Sequence, residues 1–428
     1  MKIEAPRGTH DVLAKDWPHW SRIVDEAQRL CSLYGYEPIT TPVFEDTTLF
    51  QRTSGAGSDV VQKEMYSFRD RADRSLTLRP EGTAPIVRAY LEHGRHRDPQ
   101  PAKLYTIAPM YRYSAPQKGR YREHWQLSVE AIGSSDPAAD AEVIQLYAEL
   151  LRALGVEGAV VHVNSIGDRA CRPAYGEQLR RWLEEHDSVL DDDAREKRAT
   201  SPLRVFDSKS PRVQAALVSA PKIGESLCAE CHEHFDDVRA FLDAYGVPHV
   251  VEPTLVRGLD YYTRTAFEFV PAARPGAELG AQSSLCGGGR YDYLAEEIGG
   301  PPTPGVGFGA GIERLHLAIE EPPLERERID VFFGHAESAD RPSLLAQMAK
   351  LRRAGWRCDT EYAGRSYRGQ LTQARRLGAR FFVYAVGGTA VIHPRGEAAR
   401  PDETPLVDEV PIEEVADKIR ELAGVVAE

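Results

Sequence analysis

The feature that most restricts the fold is an alternation of glycine with other residues near position 310. Glycine occupies positions 305, 307, 309 and 311 in the segment GVGFGAGIERL. Alternate residues of a β-strand lie on the same face, so these glycines leave one face of a strand without side chains. A flat ring can then approach the backbone, and Arg314 follows where a helix begins. Close packing of the strand against a helix would also explain the glycines.

The segment LTLRPEGTA, residues 76–84, is the first of three further segments that place arginine beside polar side chains. An apolar run ends at its proline and glycine, and a turn there would expose Glu81 and Thr83 in a fixed position. A carboxylate held in this way can bind the ammonium group of a substrate. The alternative is an ordinary solvated turn.

The second segment, residues 110–130, predicts a hairpin with a cationic tip. A Pro-Gly loop separates two strand-like stretches, and guanidinium groups around that loop suit phosphate oxygens. Gln126 and Glu130 are an even number of residues apart on the returning strand and so face the same side. An exposed hairpin without a ligand is the other interpretation. The cations of the tip are Arg112, Lys118, Arg120 and Arg122.

The third segment, LVRGLDYYTRT at residues 255–265, is strand-like apart from its charges. Arg257 precedes Gly258, and Tyr261 and Tyr262 follow closely. Burying an unpaired charge is costly, so an arginine in such a strand must contact an anion. A structural ion pair and a functional anion both meet this requirement.

Periodicity predicts the helices and strands of a large first part of the chain. Apolar residues recur at helical spacing over 20–34 and again after Asp136-Pro137. Residues 104–113 and 127–133 have the composition of strands. From about 164 to 251 the sequence changes to charged helical segments, which indicates an inserted helical module.

A smaller second part follows a segment with the composition of a linker. Pro322, Pro323 and the charged run 325–328 make up this segment. Strand-like and helix-like stretches then alternate from 329 to 386. This alternation favours a small α/β domain with a largely parallel sheet.

Charge and hydropathy exclude several classes of protein. The formal net charge of −12 argues against nucleic-acid binding through the overall field, so any such site must be local. A basic stretch from Arg352 to Arg380 is one candidate, with a solvated basic face as its alternative. No apolar run is long enough to span a membrane, and the N-terminus lacks a signal-peptide pattern. We therefore predict a cytoplasmic protein that does not bind membranes.

The six cysteines are sparse, which does not predict a disulfide framework. Cys228, Cys231, His232 and His234 form a C-x-x-C-H-x-H run of the kind that binds zinc or haem. The sequence offers no second ligand pair at zinc-finger spacing, and the context is helical. We therefore expect no permanently bound metal.

Together these segments resemble the class II aminoacyl-tRNA synthetases, and among them the histidyl-tRNA synthetase family. The resemblance covers nearly the whole chain and begins at PRGTHD, residues 6–11. It includes the three class motifs, in GYEPITTPVFEDTTLF at 35–50, in residues 110–130 and in the stretch ending in GIER at 311–314. RGLDYY at 257–262 is similar to the histidine-specific signature.

The resemblance implies an α+β fold with two domains. Residues 1–323 would form the catalytic domain, an antiparallel sheet flanked by helices, with a helical insertion at 165–250. Residues 329–428 would form an α/β anticodon-binding domain. A homodimer with the first motif at its interface is also implied.

The resemblance further implies which residues bind L-histidine. Two acids, a threonine, a glutamine and three tyrosines make up this pocket: Glu81, Thr83, Gln126, Glu130, Tyr261, Tyr262 and Tyr291. The first three would hold the backbone of the amino acid. Glu130 and Tyr262 would read the imidazole, and the other two tyrosines would line the pocket.

ATP would be the second substrate, with Mg²⁺, and tRNA(His) would receive the activated histidine at its 3′ end. Arg112 and Arg257 would be the catalytic residues that neutralise the α-phosphate, Arg314 would grip the γ-phosphate, and Arg120 would assist. The family commonly has Phe-His-Gln where this chain has His124-Trp125-Gln126. His124 is therefore the ring expected to stack on adenine.

The nearest alternative is a non-catalytic protein on the same fold, the regulatory subunit of ATP phosphoribosyltransferase. Such proteins usually lack the terminal domain and part of the arginine set. This chain retains Arg112, Arg257 and Arg314 as well as the C-terminal segment. These residues favour the enzyme.

Overall fold

The computed structural model describes residues 3–55, 58, 60–271, 284–319, 328–394 and 408–424. The chain forms two compact units, Met1–Leu324 and Glu325–Glu428. The predicted linker residues 322, 323 and 325–327 lie outside the described residues. None of the described helices combines the length and the apolar character needed to span a bilayer.

The first unit contains a large sheet and a small one. Its strands are β1 (Glu37–Pro38), β2 (Phe44–Asp46), β3 (Tyr66–Arg69), β4 (Ser75–Leu78), β5 (Ala102–Tyr111), β6 (Glu123–Ile132), β7 (Val160–Ser165), β8 (His249–Val251), β9 (Thr263–Val270), β10 (Cys286–Arg290) and β11 (Gly305–Gly311). Its helices are α1 (Trp17–Leu33), α2 (Thr47–Thr53), α3 (Thr83–Glu92), α4 (Pro137–Ala153), α5 (Arg172–Glu185), α6 (Asp192–Thr200), α7 (Pro211–Leu217), α8 (Ala229–Ala244), α9 (Leu294–Glu297) and α10 (Ile312–Ala318).

Within the described residues the large sheet has eight strands in the order β1-β5-β6-β11-β10-β9-β7-β8. The pairs from β5 to β7 are antiparallel, and only the two edge pairs are parallel. The predicted antiparallel sheet is therefore confirmed. So is the predicted hairpin, since β5 and β6 pair with Leu104 opposite Glu130.

Two amphipathic helices, α1 and α4, cover one face of this sheet. Ile23 of α1 and Tyr147 of α4 are fully buried in one cluster with Phe308 of β11. The Asp136 side chain caps α4 by accepting a hydrogen bond from the Ala138 N–H. Both helices agree with the apolar periodicity of the sequence.

The segment between β7 and β8 is helical, as predicted, and contains a small hydrophobic cluster that includes Leu179 and Val213. The segment 255–265, predicted to be strand-like, is a strand only from Thr263, where β9 begins. Residues 252–262 form a connection in which the Asn164 side chain donates to the carbonyls of Pro253 and Leu255. Arg257 therefore does not lie in a strand.

The second unit is an α/β domain, as predicted. Its elements are β12 (Val331–His335), α11 (Arg341–Arg353), β13 (Cys358–Thr360), α12 (Tyr367–Arg376), β14 (Phe381–Val386), β15 (Thr389–Pro394), β16 (Asp408–Pro411) and α13 (Val415–Leu422). The strand order is β13-β12-β14-β15-β16, and only the first three are parallel.

The prediction of a largely parallel sheet is thus wrong for the strands after β14. Gly387 and Gly388, with φ of 60° and 90°, connect β14 directly to β15. Two consecutive residues with positive φ are typical of the tight hairpin turn that joins antiparallel strands. The Asp340 carboxylate accepts hydrogen bonds from both glycine N–H groups and holds this turn.

A buried ion pair joins helix α4 to strand β10. The side chains of Arg290 and Asp140 are both fully buried, and the guanidinium contacts both carboxylate oxygens. Further hydrogen bonds run from Arg290 to the carbonyl oxygens of Ser134 and Asp136. Breaking a buried pair is strongly destabilising because it leaves an uncompensated charge.

We expect Asp140→Asn to lower the free energy of unfolding by about 3–5 kcal/mol, since Arg290 loses its buried counter-charge. Urea titration followed by circular dichroism measures this change. Glu149→Gln is the matched control on the same helix, because Glu149 pairs with an Arg152 side chain that is 80% exposed. Equal stability of the Asp140→Asn variant and the parent would contradict the importance of this pair.

Candidate active site

A cavity of about 890 Å³ lies in the first unit, against the large sheet. It brings together side chains from all four sequence segments, because β6, β11 and β10 are neighbours in the sheet. Ten of the predicted site residues line it: Glu81, Thr83, Arg112, Arg120, His124, Gln126, Arg257, Tyr261, Tyr262 and Arg314. The other two, Glu130 and Tyr291, are almost fully buried and are not among the lining residues.

The glycines of β11 make room for site residues on the neighbouring strand and loop. A Cβ atom added at Gly307 would clash with the Glu130 carboxylate, and one at Gly309 would lie 2.7 Å from Nε2 of Gln126. At Gly305 an added Cβ would clash with the ring of Tyr291. A ring therefore approaches the backbone as predicted, but it belongs to the protein.

Glu81 and Thr83 lie at the start of helix α3 and are buried, not exposed as predicted. The two Glu81 oxygens accept hydrogen bonds from the N–H groups of Thr83 and Ala84, at 2.7 and 2.9 Å. The carboxylate thus satisfies the first N–H groups of the helix, which explains its burial. Burial raises the pKa of Glu81.

Glu130 forms the centre of a buried network below the cavity. The hydroxyl of Thr83 donates to one oxygen at 2.7 Å, and the hydroxyl of Tyr291 donates to the other at 2.6 Å. Burial raises the pKa of Glu130 to about 8. Each oxygen keeps a second lone pair, so the carboxylate can accept a further hydrogen bond from a ligand.

Tyr261 and Tyr262 form an aromatic wall of the cavity, and Tyr291 packs behind them. The ring centroids of Tyr261 and Tyr262 are 4.6 Å apart, and those of Tyr261 and Tyr291 are 6.0 Å apart. Burial raises the pKa of Tyr262 to about 12, so its hydroxyl stays protonated at neutral pH. The wall offers both apolar area and hydrogen-bond donors.

The arginines of the cavity differ in how many of their N–H groups donate hydrogen bonds to protein atoms. Arg112 donates from Nε to the carbonyl of Pro80 at 2.7 Å, and Arg314 donates to the carbonyls of Gly119 and Ser284. These bonds use only part of each guanidinium and fix its direction. Burial, with Arg120 nearby, lowers the pKa of Arg314.

Arg257 lacks close hydrogen-bond acceptors for part of its guanidinium among the described residues. Its nearest carboxylate oxygen, on Glu268, is 3.7 Å from Nη1, which is longer than a hydrogen bond. Its Nε is buried without a hydrogen-bond partner among the described residues. The guanidinium lies against Gly287, where any Cβ would clash with it. This partly buried cation can bind an additional anion.

His124 lines the cavity as a neutral ring. Burial, followed by the charges of Arg112 and Arg314, lowers its pKa to about 3. The imidazole therefore adds no cationic charge to a site that already holds several guanidinium groups. A neutral ring can stack on a planar ligand.

The predicted cationic tip contributes only part of its charge to the cavity. Arg120 lines the cavity and pairs with Glu64 at 2.8 Å. Arg122 instead stacks on the Tyr113 ring, 3.7 Å from its centroid. Lys118 is not among the lining residues.

Sequence reasoning missed the residues that the helical insertion supplies to the cavity wall: Lys197, Arg204, Phe206, Asp207, Ser208, Lys209 and Gln214. Burial raises the pKa of Asp207 to about 6. In the sequence these charges resemble a solvated helical surface. No local signal shows that they face a site more than 40 residues away along the chain.

Known proteins are similar to this chain in sequence and in structure over most of its length. Residues 8–315 match the family model described as histidyl-tRNA synthetase. A histidine–tRNA ligase of Rubrobacter xylanophilus is 46% identical over 392 residues, covering 90% of this chain and 91% of the relative. The crystal structure of apo S. aureus histidyl-tRNA synthetase has a TM-score of 0.78 and 35% identity, covering 98% of this chain and 100% of that one.

A structure from Bacillus halodurans, described as an ATP phosphoribosyltransferase regulatory subunit/histidyl-tRNA synthetase, has a TM-score of 0.65 over 90% of this chain and 99% of its own. At 23% identity it shares the fold alone. The family match and the more similar relatives, read together with the cavity, show that this chain belongs to the histidyl-tRNA synthetase family.

Proposed function

We propose that this protein activates L-histidine with ATP and transfers it to the 3′ end of tRNA(His). The observation that carries the proposal is the convergence of Arg112, Arg257 and Arg314 on one cavity that also contains Glu81 and an aromatic wall. The names of the relatives at 44–46% identity support it.

Activation joins two anions, which explains the arginines. The carboxylate of histidine attacks the α-phosphorus of ATP, a C(O)O–P bond forms, and the bond from that phosphorus to the bridging oxygen breaks as pyrophosphate leaves. Arg112 and Arg257 would neutralise the negative charge that develops at phosphorus, and Arg314 would hold the γ-phosphate. Orientation and electrostatic stabilisation supply such acceleration without a protein nucleophile.

The tRNA then takes the histidyl group. Its terminal ribose hydroxyl attacks the carbonyl carbon of histidyl-adenylate, and AMP leaves with the electrons of the mixed anhydride bond. The cavity would hold the adenylate away from bulk water between the two steps. His124 would stack on its adenine as a neutral ring.

The end of the cavity that contains Glu81 and Tyr262 would select histidine. Glu81, Thr83 and Gln126 would bind its ammonium and carboxylate groups, and Tyr262 would contact its imidazole. Glu130 lies deepest and would accept a hydrogen bond from the imidazole through a lone pair that Thr83 and Tyr291 leave unused. A site that hydrogen-bonds a polar group rejects analogues that lack it, because its own polar groups then stay unpaired.

Mg²⁺ would enter with ATP. Glu268 and Glu313 line the cavity, and carboxylate oxygens are preferred Mg²⁺ ligands. Oε2 of Glu313 is buried without a hydrogen-bond partner among the described residues, so it fits a cation. When bound, the ion would shield the charge of the phosphates.

The second unit would bind the anticodon. Arg353, Arg368, Arg375 and Arg376 are exposed, whereas Arg365 of the same basic stretch pairs with Glu361 at 3.1 Å. The exposed cations on α12 supply local positive charge of the kind that an acidic protein needs for RNA phosphates.

We further propose a cytoplasmic homodimer. Phe44 and Phe68 are half exposed on the small sheet, with ring centroids 6.3 Å apart. Val43, from the same first class motif, is also exposed. A second copy would cover these apolar side chains.

The regulatory-subunit alternative predicts no activation chemistry. Arg112, Arg257 and Arg314 all reach one cavity in this chain, which favours the enzyme. ATP–pyrophosphate exchange, measured separately with each amino acid, tests the proposal. We expect exchange with histidine alone. Exchange with a different amino acid, or with none, would contradict the proposed function.

Arg257→Ala is expected to reduce the exchange rate by about 10²–10³-fold, because a positive charge at the α-phosphate is lost. Thermal unfolding checks that the variant stays folded. Arg152→Ala, which removes an exposed arginine on α4, is the control and should exchange normally. Near-normal exchange by Arg257→Ala, or a loss explained by unfolding, would assign Arg257 a structural role only.

Glu130→Gln is expected to raise the KM for histidine by about 10–100-fold, since leaving a buried polar group without its hydrogen bond costs about 1–3 kcal/mol. The KM for ATP should change little. Equal changes in both constants would show that Glu130 does not read the amino acid.

The same variant tests the burial of Glu130 through pH. The pKa of Glu130 in the folded protein is about 8, above its ordinary value, so the folded state binds the extra proton. Its contribution to stability is therefore complete below the ordinary pKa and is lost as the pH rises towards about 8. Glu130→Gln should lack this loss, and identical pH profiles of unfolding would contradict the raised pKa.

A further inference from the structure

Two pairs of side chains with metal-binding chemistry meet beside the base of the helical insertion. Asp168 and Cys171 lie in the turn between β7 and α5, and Cys228 and Cys231 lie at the start of α8. The carboxylate oxygen and three sulfur atoms all lie within 4.8 Å of one another. We propose that these four residues form a structural zinc site.

The spacing in sequence fits this assignment. Both pairs have two intervening residues, D-x-x-C and C-x-x-C. Structural zinc sites commonly combine two such short pairs from separate segments, and aspartate is an accepted ligand beside cysteine. The expectation of no permanent metal rested on the lack of a second pair in the sequence. The fold supplies that pair from residues 168 and 171.

The two histidines of the sequence motif take no part in this cluster. Nδ1 of His232 is 3.0 Å from the Asp236 carboxylate on the exposed side of α8. His234 is buried on another face of the helix, with Nε2 3.8 Å from Asp140. Neither imidazole is among the ligand atoms that lie within 4.8 Å of one another. The C-x-x-C-H-x-H run is therefore not the ligand set.

Two of the distances between the ligand atoms are close to those of tetrahedral coordination. With a Zn–S bond of about 2.3 Å, tetrahedral sulfur ligands lie about 3.8 Å apart, and a sulfur and a carboxylate oxygen lie about 3.6 Å apart. The sulfurs of Cys171 and Cys231 are 3.9 Å apart, and Sγ of Cys171 is 3.6 Å from Oδ1 of Asp168. Three of the four residues are buried, and Cys228 is partly exposed.

The surroundings can carry the negative charge of such a site. Three thiolates and a carboxylate around Zn²⁺ leave a net charge of −2. Arg264 lies 3.4 Å from the outer oxygen of Asp168, and α5 and α8 both begin at the cluster. Helix N-termini and a guanidinium stabilise anionic groups. The Asp168 N–H also points at Sγ of Cys171, a contact that supports thiolate ligands.

The local backbone is adapted to this arrangement. Gly167 has φ of +65°, and a Cβ atom there would lie 2.7 Å from Sγ of Cys171. Ile166 and Gly167 exchange backbone hydrogen bonds with Arg264, at 2.7 Å each, and Arg172 donates to the carbonyl of Tyr262. A metal here would brace the segment that follows the tyrosines of the cavity.

Metal analysis of the full-length protein, purified without chelators under reducing conditions, tests the proposal. We expect about one zinc ion per chain. Cobalt substituted for zinc should give the absorption bands of a tetrahedral thiolate complex. A metal-free protein that takes up neither ion on titration would overturn the proposal, as would stoichiometric binding of another native metal.

Variants locate the metal independently of enzymatic activity. Cys228→Ser should lose the zinc, and the partial exposure of Cys228 makes this substitution tolerable for folding. Asp168→Cys should retain zinc with four thiolates. Cys358→Ser, at a buried cysteine of the second unit, is the control and should bind as the parent does. Full zinc content in Cys228→Ser would overturn the assignment.

Thiol titration in denaturant separates the metal site from a disulfide. The chain has six cysteines, and all six should react after the metal is removed. A count of four in the protein as purified would indicate one disulfide, for which the sulfur atoms of the cluster are near enough. That result would contradict the zinc site.

Discussion

The site depends on side chains from neighbouring elements packing directly against the backbone of strand β11. Three glycines at alternate positions remove the side chains that would otherwise fill the space above the sheet. The Glu130 carboxylate, the Gln126 amide and the Tyr291 ring occupy that space instead. A face of a sheet that is covered by other elements normally carries apolar side chains. Polar side chains fit here because the glycines of β11 have no Cβ atoms.

Buried arginines in this unit divide into two physical types. Arg290 contacts Asp140 and further acceptors with all parts of its guanidinium, and Arg79 donates to the carbonyls of Pro109 and Thr41. Such groups hold secondary structure elements together and have little capacity left for a ligand. Arg257 is different, because its nearest carboxylate is beyond hydrogen-bond distance and its Nε has no partner among the described residues. The number of satisfied donors therefore distinguishes arginines that hold the fold together from an arginine that can still bind an anion.

The helical insertion contacts the site in two ways. It supplies Asp207 and neighbouring side chains to the wall of the cavity, and its first turn is hydrogen-bonded to the segment that carries Tyr262. The cysteine cluster lies at the junction of α5 and α8, where the insertion leaves and rejoins the sheet. The Arg172 side chain thus links the first helix of the insertion directly to the backbone of Tyr262.

The sequence by itself determined the local elements, because periodicity, caps and turn residues act through nearby sterics. Helices α1 and α4, the hairpin of β5 and β6, and the glycine face of β11 all follow from such patterns. Tertiary structure alone decided that Glu81 is buried at a helix start, that Glu130 and Tyr291 lie below the cavity and that Arg257 lies in a connection. It also decided that Asp168 and Cys171 face Cys228 and Cys231. Burial and pairing depend on which distant segments pack together, and that information is spread over the whole chain.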